Sequence, residues 1–249
     1  MIREQIWQKC ISGKRFCRTG LVLLIACMGT GFGNHPTALS SSRDIRRAPS
    51  DVERIIIGQL PIKDYPLLSK LQRLKDVDFY TLDGTGANDD KLRELSKLKL
   101  DNLEGISLLN CPVVTDGGIR HLSRIPSLKH MQLEGTSITD EALEIMASDM
   151  SLTGVNVANC PKITKQGLLK IAASTTLVTF TFSADALTQE DVVRLIGEFG
   201  KNVKWPSVVD REGKLDAAAL KAAARKNGIT LNVSRTGALQ DVVRGGGWR

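Results

Sequence analysis

The feature that most restricts the fold of this chain is one spacing of apolar residues that keeps returning. Leu74, Val77 and Phe79 are followed by Leu103, Ile106 and Leu108, by Leu128, Met131 and Leu133, by Leu152, Val155 and Val157, and by Leu177, Phe180 and Phe182. Val203, Pro206 and Val208 form a less regular sixth set, and the first members stand 29, 25, 24, 25 and 26 residues apart. The last two residues of each set lie at period two, the mark of a short strand with one buried face. A strand this short cannot bury that face alone. Stacked in parallel on its neighbours it contributes to one continuous core.

A second column follows each strand. Asn88, Thr115, Thr139, Thr164, Thr188 and Asp216 all carry a side-chain oxygen able to cap a helix N-terminus. Four residues later come Leu92, Ile119, Leu143, Leu168, Val192 and Leu220, and seven later Leu95, Leu122, Met146, Ile171, Leu195 and Ala223, which together make an inward helical stripe. An apolar residue precedes every cap, placed to staple against the residue four beyond it. The unit is therefore strand, loop and capped helix, an α/β architecture. Pro206 removes a backbone donor from a strand that should be internal, so a distorted repeat or an interrupted strand is expected there.

The segments GISLLNCPVVTDGGIRHLSRIPSLKHMQL and GVNVANCPKITKQGLLKIA resemble the cysteine-containing leucine-rich repeat, with its Asn-Cys-Pro and Ile-Thr signatures. The resemblance covers residues 74–233. It implies a right-handed βα solenoid with parallel strands on the concave face and helices on the convex face. The best-known members of that family are substrate-recognition arms of F-box ubiquitin ligases, and similar repeats occur in secreted bacterial proteins. An intracellular adaptor of the ligase type is thus the alternative to an exported binding module. Leu60-Pro61 precedes the repeats, but no F-box follows it.

The N-terminus favours export. Arg3, Lys9, Lys14, Arg15 and Arg18 precede the apolar run Leu21 to Ala26, the order of a secretory signal. The run is far shorter than the ~18 to 20 apolar residues that span a bilayer. Residues 1–26 read as a signal peptide, 27–51 as a flexible Gly, Ser and Pro-rich linker, 52–73 as an N-terminal cap with Ile55 to Ile57 as a further strand, 74–233 as the solenoid and 234–249 as a loose tail. Leu24-Ile25-Ala26-Cys27 resembles the lipobox of bacterial lipoproteins, which would make Cys27 an acylation site and the membrane a partner through its lipid. The alternatives are ordinary cleavage before Ser41 following Ala38 and Ser40, an uncleaved signal anchor, or a mitochondrial presequence.

Charge and motifs limit the chemistry. The leader holds +4 of the net charge of +7, and the remaining Lys and Arg are scattered among acids rather than clustered with aromatics. That distribution excludes nucleic acid as the expected partner. No phosphate loop, metalloprotease helix, nucleophile elbow or paired Cys-x-x-Cys occurs, so neither enzyme activity, cofactor nor metal is expected. Cys111 and Cys160 share a column two repeats apart, about 10 Å at the strand spacing of a sheet, beyond disulfide reach. The Gly-rich acidic loop from Asp83 to Asp90 lacks the ligand spacing of a calcium loop. A hydrolase centred on Asp83 or Asp210 remains as a third reading.

Alternation fixes the expected binding face. One outward column is Asp78, Ser107, Gln132, Asn156, Thr181 and Ser207, and the other is Asp76, Gly105, His130, Gly154, Thr179 and Trp205. The stripe is polar and nearly uncharged. Asp78, Tyr80, His130, Gln132, Asn156, Thr181 and Trp205 are the expected contacts with a protein partner, with Tyr80 and Trp205 foremost because aromatic residues dominate interface energies. The two glycines beside His130 should let a partner approach closely.

Overall fold

The computed structural model describes residues 36–79, 86–172, 174–199 and 203–235. Among these residues nine parallel strands form one sheet in chain order. They are β1 (Thr37–Leu39), β2 (Arg54–Ile57), β3 (Asp76–Phe79), β4 (Gly105–Ser107), β5 (His130–Gln132), β6 (Gly154–Asn156), β7 (Thr179–Ser183), β8 (Trp205–Val209) and β9 (Asn232–Ser234). The helices between them are α1 (Ser42–Arg47), α2 (Asp89–Ser96), α3 (Asp116–Leu122), α4 (Asp140–Asp149), α5 (Lys165–Ala172), α6 (Gln189–Glu198) and α7 (Ala217–Lys226), and Ile62–Lys70 is a 3-10 helix between β2 and β3.

Each junction from β2 to β8 uses the same device. One carbonyl just ahead of a strand accepts two backbone donors from the next coil: Glu104 O takes Lys129 N–H and His130 N–H, and Lys129 O takes Thr153 N–H and Gly154 N–H. The inward residues Val77, Ile106, Met131, Val155 and Phe180 are in register and are all at most 4% exposed. The apolar stripe of the helices closes the core from the other side, with one shift: in α7 the buried residue is Ala224, not Ala223.

Two expectations are corrected. The segment expected as a flexible linker contains β1 and α1. β1 pairs with β2 through Thr37 to Ile55 and Leu39 to Ile57, Ser41 caps α1 by accepting Asp44 N–H, and Leu39 and Ile45 are fully buried. A coil this short carries too few apolar residues to show a period. Pro206, in turn, does not interrupt β8, where it faces Phe180 in register. Trp205 N–H donates to Val178 O on the β7 side, so alternation turns the donor that Pro206 lacks toward β9, and pairing there begins only at Ser207.

Candidate binding face

All six expected caps accept a backbone N–H: Asn88 from Lys91, Thr115 from Gly117, Thr139 from Glu141, Thr164 from Gln166, Thr188 from Asp191, and Asp216 from Ala218 and Ala219. The caps are also tied to one another, which the sequence reading missed. Asp89, first in α2, accepts Thr115 N–H at 2.9 Å and the Thr115 hydroxyl at 2.5 Å. Asp116 does the same for Thr139 and Asp140 for Thr164. Asp89 and Asp140 lie over the third helical residue of the next coil, Gly118 and Gly167, and the equivalent residue of α4, Ala142, is small as well. A Cβ at Gly167 would stand 2.2 Å from Asp140 Oδ1. At the next junction Lys165 replaces the aspartate and pairs instead with Asp191, holding that carboxyl down at about 2 with help from Thr188.

Between strand and helix the chain must turn sharply. Asn110 and Asn159 do so in the left-handed region, at φ 54° and 59°, and Gly135 takes that place in the coil between them at φ 75°. Asparagine tolerates this backbone better than most residues, which accounts for the Asn of Asn-Cys-Pro. The cysteine that follows points into the core. Cys160 Sγ donates to Leu133 O at 3.2 Å and lies 3.4 Å from Thr136 Oγ1, so Thr136 separates Cys160 from Cys111 in the column. Both thiols are free and buried, and burial raises the pKa of each.

Strand, left-handed turn, capped helix and shared junction carbonyl thus recur from coil to coil. The fold is a leucine-rich-repeat solenoid. No family model and no curated protein matches the sequence. Among solved structures it is similar to the yeast Rad7 and Elc1 complex, at 16% identity and TM-score 0.40 over 77% of this chain and 44% of that one. An internalin, InlF of Listeria monocytogenes, matches at 13% identity and TM-score 0.39 over 76% of this chain and 55% of that one. The chain therefore spans about half the length of these two, and likenesses this distant carry no argument beyond the coils themselves.

On the concave face of the solenoid both expected columns are in register, from Asp78 through Ser107, Gln132, Asn156 and Thr181 to Ser207, and from Asp76 through His130 to Trp205. Their side chains are not equally available. Trp205 is 55% exposed, His130 is exposed, and Asp78, Gln132 and Thr181 are half-buried. Asn156 is withdrawn: at 2% exposure its Oδ1 accepts Ala158 N–H at 2.8 Å and its Nδ2 faces Glu134 Oε2 at 3.4 Å. Tyr80 and Cys27 lie outside the described residues, as does Asp83.

Glu134 was not anticipated. It lies two residues beyond Gln132, is 1% exposed, and accepts Asn159 Nδ2–H at 2.7 Å, while Asn159 N–H donates to Ser183 Oγ. Asn156, Glu134, Asn159 and Ser183 form a buried polar network that ties three coils together beneath the face. Extending the outward column by one more step of two would have brought Glu134 to notice. The room expected beside His130 is also reduced, because the Asp76 carboxylate covers Gly105: a Cβ there would meet Asp76 Oδ1 at 2.2 Å.

The N-terminal end of the face is charged and internally paired. Arg54 reaches Asp76 at 3.5 Å and Asp78 at 3.9 Å. Burial raises Asp78 to about 6, although Arg54 lowers it, and Asp76 raises it further. Asp210 serves the backbone, accepting Lys214 N–H and Leu215 N–H from a site 4% exposed. Each carboxylate oxygen accepts one backbone donor of the same turn, so Asp210 holds that turn in place.

Proposed function

We propose that this protein is a non-enzymatic interaction module that holds a protein partner on its concave strand face. The observation that carries this reading is Trp205, a large aromatic 55% exposed in a column of otherwise small or polar residues. Exposed tryptophan on a rigid sheet is the kind of residue that dominates interface energies. The convex helices look different: several of their charged residues pair between coils, such as Arg120 with Glu141 and Lys170 with Glu144. The test compares the native partner's binding to the unaltered chain, to Trp205→Ala and to the convex-face change Arg194→Glu. Loss of at least tenfold in Trp205→Ala alone is the expected result. Equal binding by all three chains removes the concave face from consideration.

Export and lipid attachment at Cys27 belong to the same proposal, with a periplasmic, envelope or extracellular location. Besides the leader's order of charge and apolar residues, the first coil supports cleavage at Cys27 over cleavage before Ser41. A cut before Ser41 would remove β1, whose Leu39 is fully buried and whose partner strand would be left with an open edge. A cut before Cys27 leaves every described strand in place. The intact mass of the mature protein from its native host decides: a lipid-bearing species starting at Cys27 is expected. A full-length chain starting at Met1 in the soluble fraction would instead favour an intracellular adaptor.

A further inference from the structure

We infer that the segment of the partner held by the C-terminal half of the concave face is an extended, uncharged stretch of polypeptide that lays an apolar side chain on Trp205. The inference rests on the concave-face reading above and adds the chemistry of the occupant. Across β6, β7 and β8 the outward positions carry Gly154, Thr179, Thr181, Trp205 and Ser207, with Asn156 turned inward between them, and none of these ionises. Lys204, the residue before Trp205, is exposed but stands ahead of β8 and outside both columns. At the other end of the face, Asp76 and Asp78 already share Arg54.

A charged side chain laid over β6 to β8 would give up hydration and meet no countercharge, which opposes binding. Backbone amides of an extended segment meet the opposite situation. Thr179, Thr181 and Ser207 are half-buried, and their hydroxyls can both donate and accept. Thr181 and its partner Ser207 on the adjacent strand stand about 4.8 Å apart. Trp205 stands beyond them as the single large apolar surface of this half among the described residues, and its ring offers a broad face with little conformational entropy to lose. Affinity in such an interface comes from apolar burial and neutral hydrogen bonds, so salt should barely change it.

The test uses the mature full-length chain and an array of immobilised synthetic peptides of equal length: uncharged, acidic and basic sets, each with and without a central Leu, Phe or Trp. The expected result is capture of the uncharged set bearing an apolar centre, unchanged between low and high salt. Capture should fall about tenfold or more in Trp205→Ala and also fall in Thr181→Arg. Preference for acidic or basic peptides, abolished by Thr181→Arg, would overturn the inference while keeping the concave face as the binding surface. Capture indifferent to both substitutions would overturn the concave-face reading as well. If no peptide is held, or if a neutral polysaccharide is held in its place, the occupant is not a polypeptide segment and the inference is wrong.

Discussion

Two side chains show how local environment sets what a substitution does. Tyr65 in the 3-10 helix is fully buried, and its hydroxyl has no hydrogen-bond partner among the described residues. An unsatisfied buried hydroxyl costs about 1–3 kcal/mol. Tyr65→Phe is therefore expected to leave the melting temperature equal or raised, and a clear fall would reveal a partner that the hydroxyl depends on. Asp78 makes a pH-dependent prediction. Its folded pKa of about 6 lies above the ordinary 3.8, so the folded state holds the proton longer than the unfolded chain. Stability contributed by the neutral form is complete below 3.8 and is lost as pH rises through about 6. Asp78→Asn, which fixes a neutral side chain, should melt higher than the unaltered chain at neutral pH and no higher below pH 3.8. A constant difference across that window would rule out the burial argument.

At the scale of elements, the carboxylate lying over the next helix couples residues from different coils. Gly167→Ala would gain about 1 kcal/mol of helix propensity, yet the new Cβ collides with three atoms of an Asp140 side chain that is held by both its oxygens. Overpacking of that kind costs about 1–3 kcal/mol. A double-mutant cycle should show Gly167→Ala destabilising alone and neutral or stabilising beside Asp140→Ala. Additive effects would mean the carboxylate simply moves aside. The first coil supports another prediction: a chain starting at residue 51 loses β1, α1 and the cover they give Ile55 and Ile57. It is expected to melt lower and aggregate more readily than a chain starting at residue 36.

These same elements show where reading from sequence succeeds. Strand registers and helix caps were legible because each depends on a residue type recurring at fixed spacing, as with Thr115, Thr139 and Thr164. The first coil was not legible, since Leu39 and Ile45 are single apolar residues in a Gly and Ser-rich stretch. Pro206 was misjudged because its cost depends on which neighbour the lost donor faces, a property of the sheet and not of the strand. On the concave face Trp205 and His130 stand where alternation places them. Asn156 did not, because an amide beside Glu134 and Ala158 N–H gains more from turning inward than from meeting water.

For the whole molecule, contacts run between neighbouring coils, so the stability of one part need not match that of another. The junction at Lys165 is unlike those before it. An ion pair with Asp191, with the lysine side chain 39% exposed, replaces two hydrogen bonds from threonine to aspartate. Partly exposed pairs contribute little and are screened by salt. Amide exchange is expected to be faster, as one block, in the coils from Thr188 onward than in those between Asp89 and Thr164, with the gap widening at high salt. Uniform protection would show that the sheet alone sets cooperativity.

The alternation of aspartate and small residue also makes the coils into pieces that fit only certain neighbours. Excise the coil built on α3, and Asp89 meets Thr139 and Ala142, a match; excise that of α4, and Asp116 meets Thr164 and Gly167, again a match. Excise the coil of α5, and Asp140 is set against Asp191, one carboxylate on another. An array of this kind can be shortened by gene recombination in its middle without offence to any joint, whereas a deletion one coil further on produces a chain that repels itself at the seam.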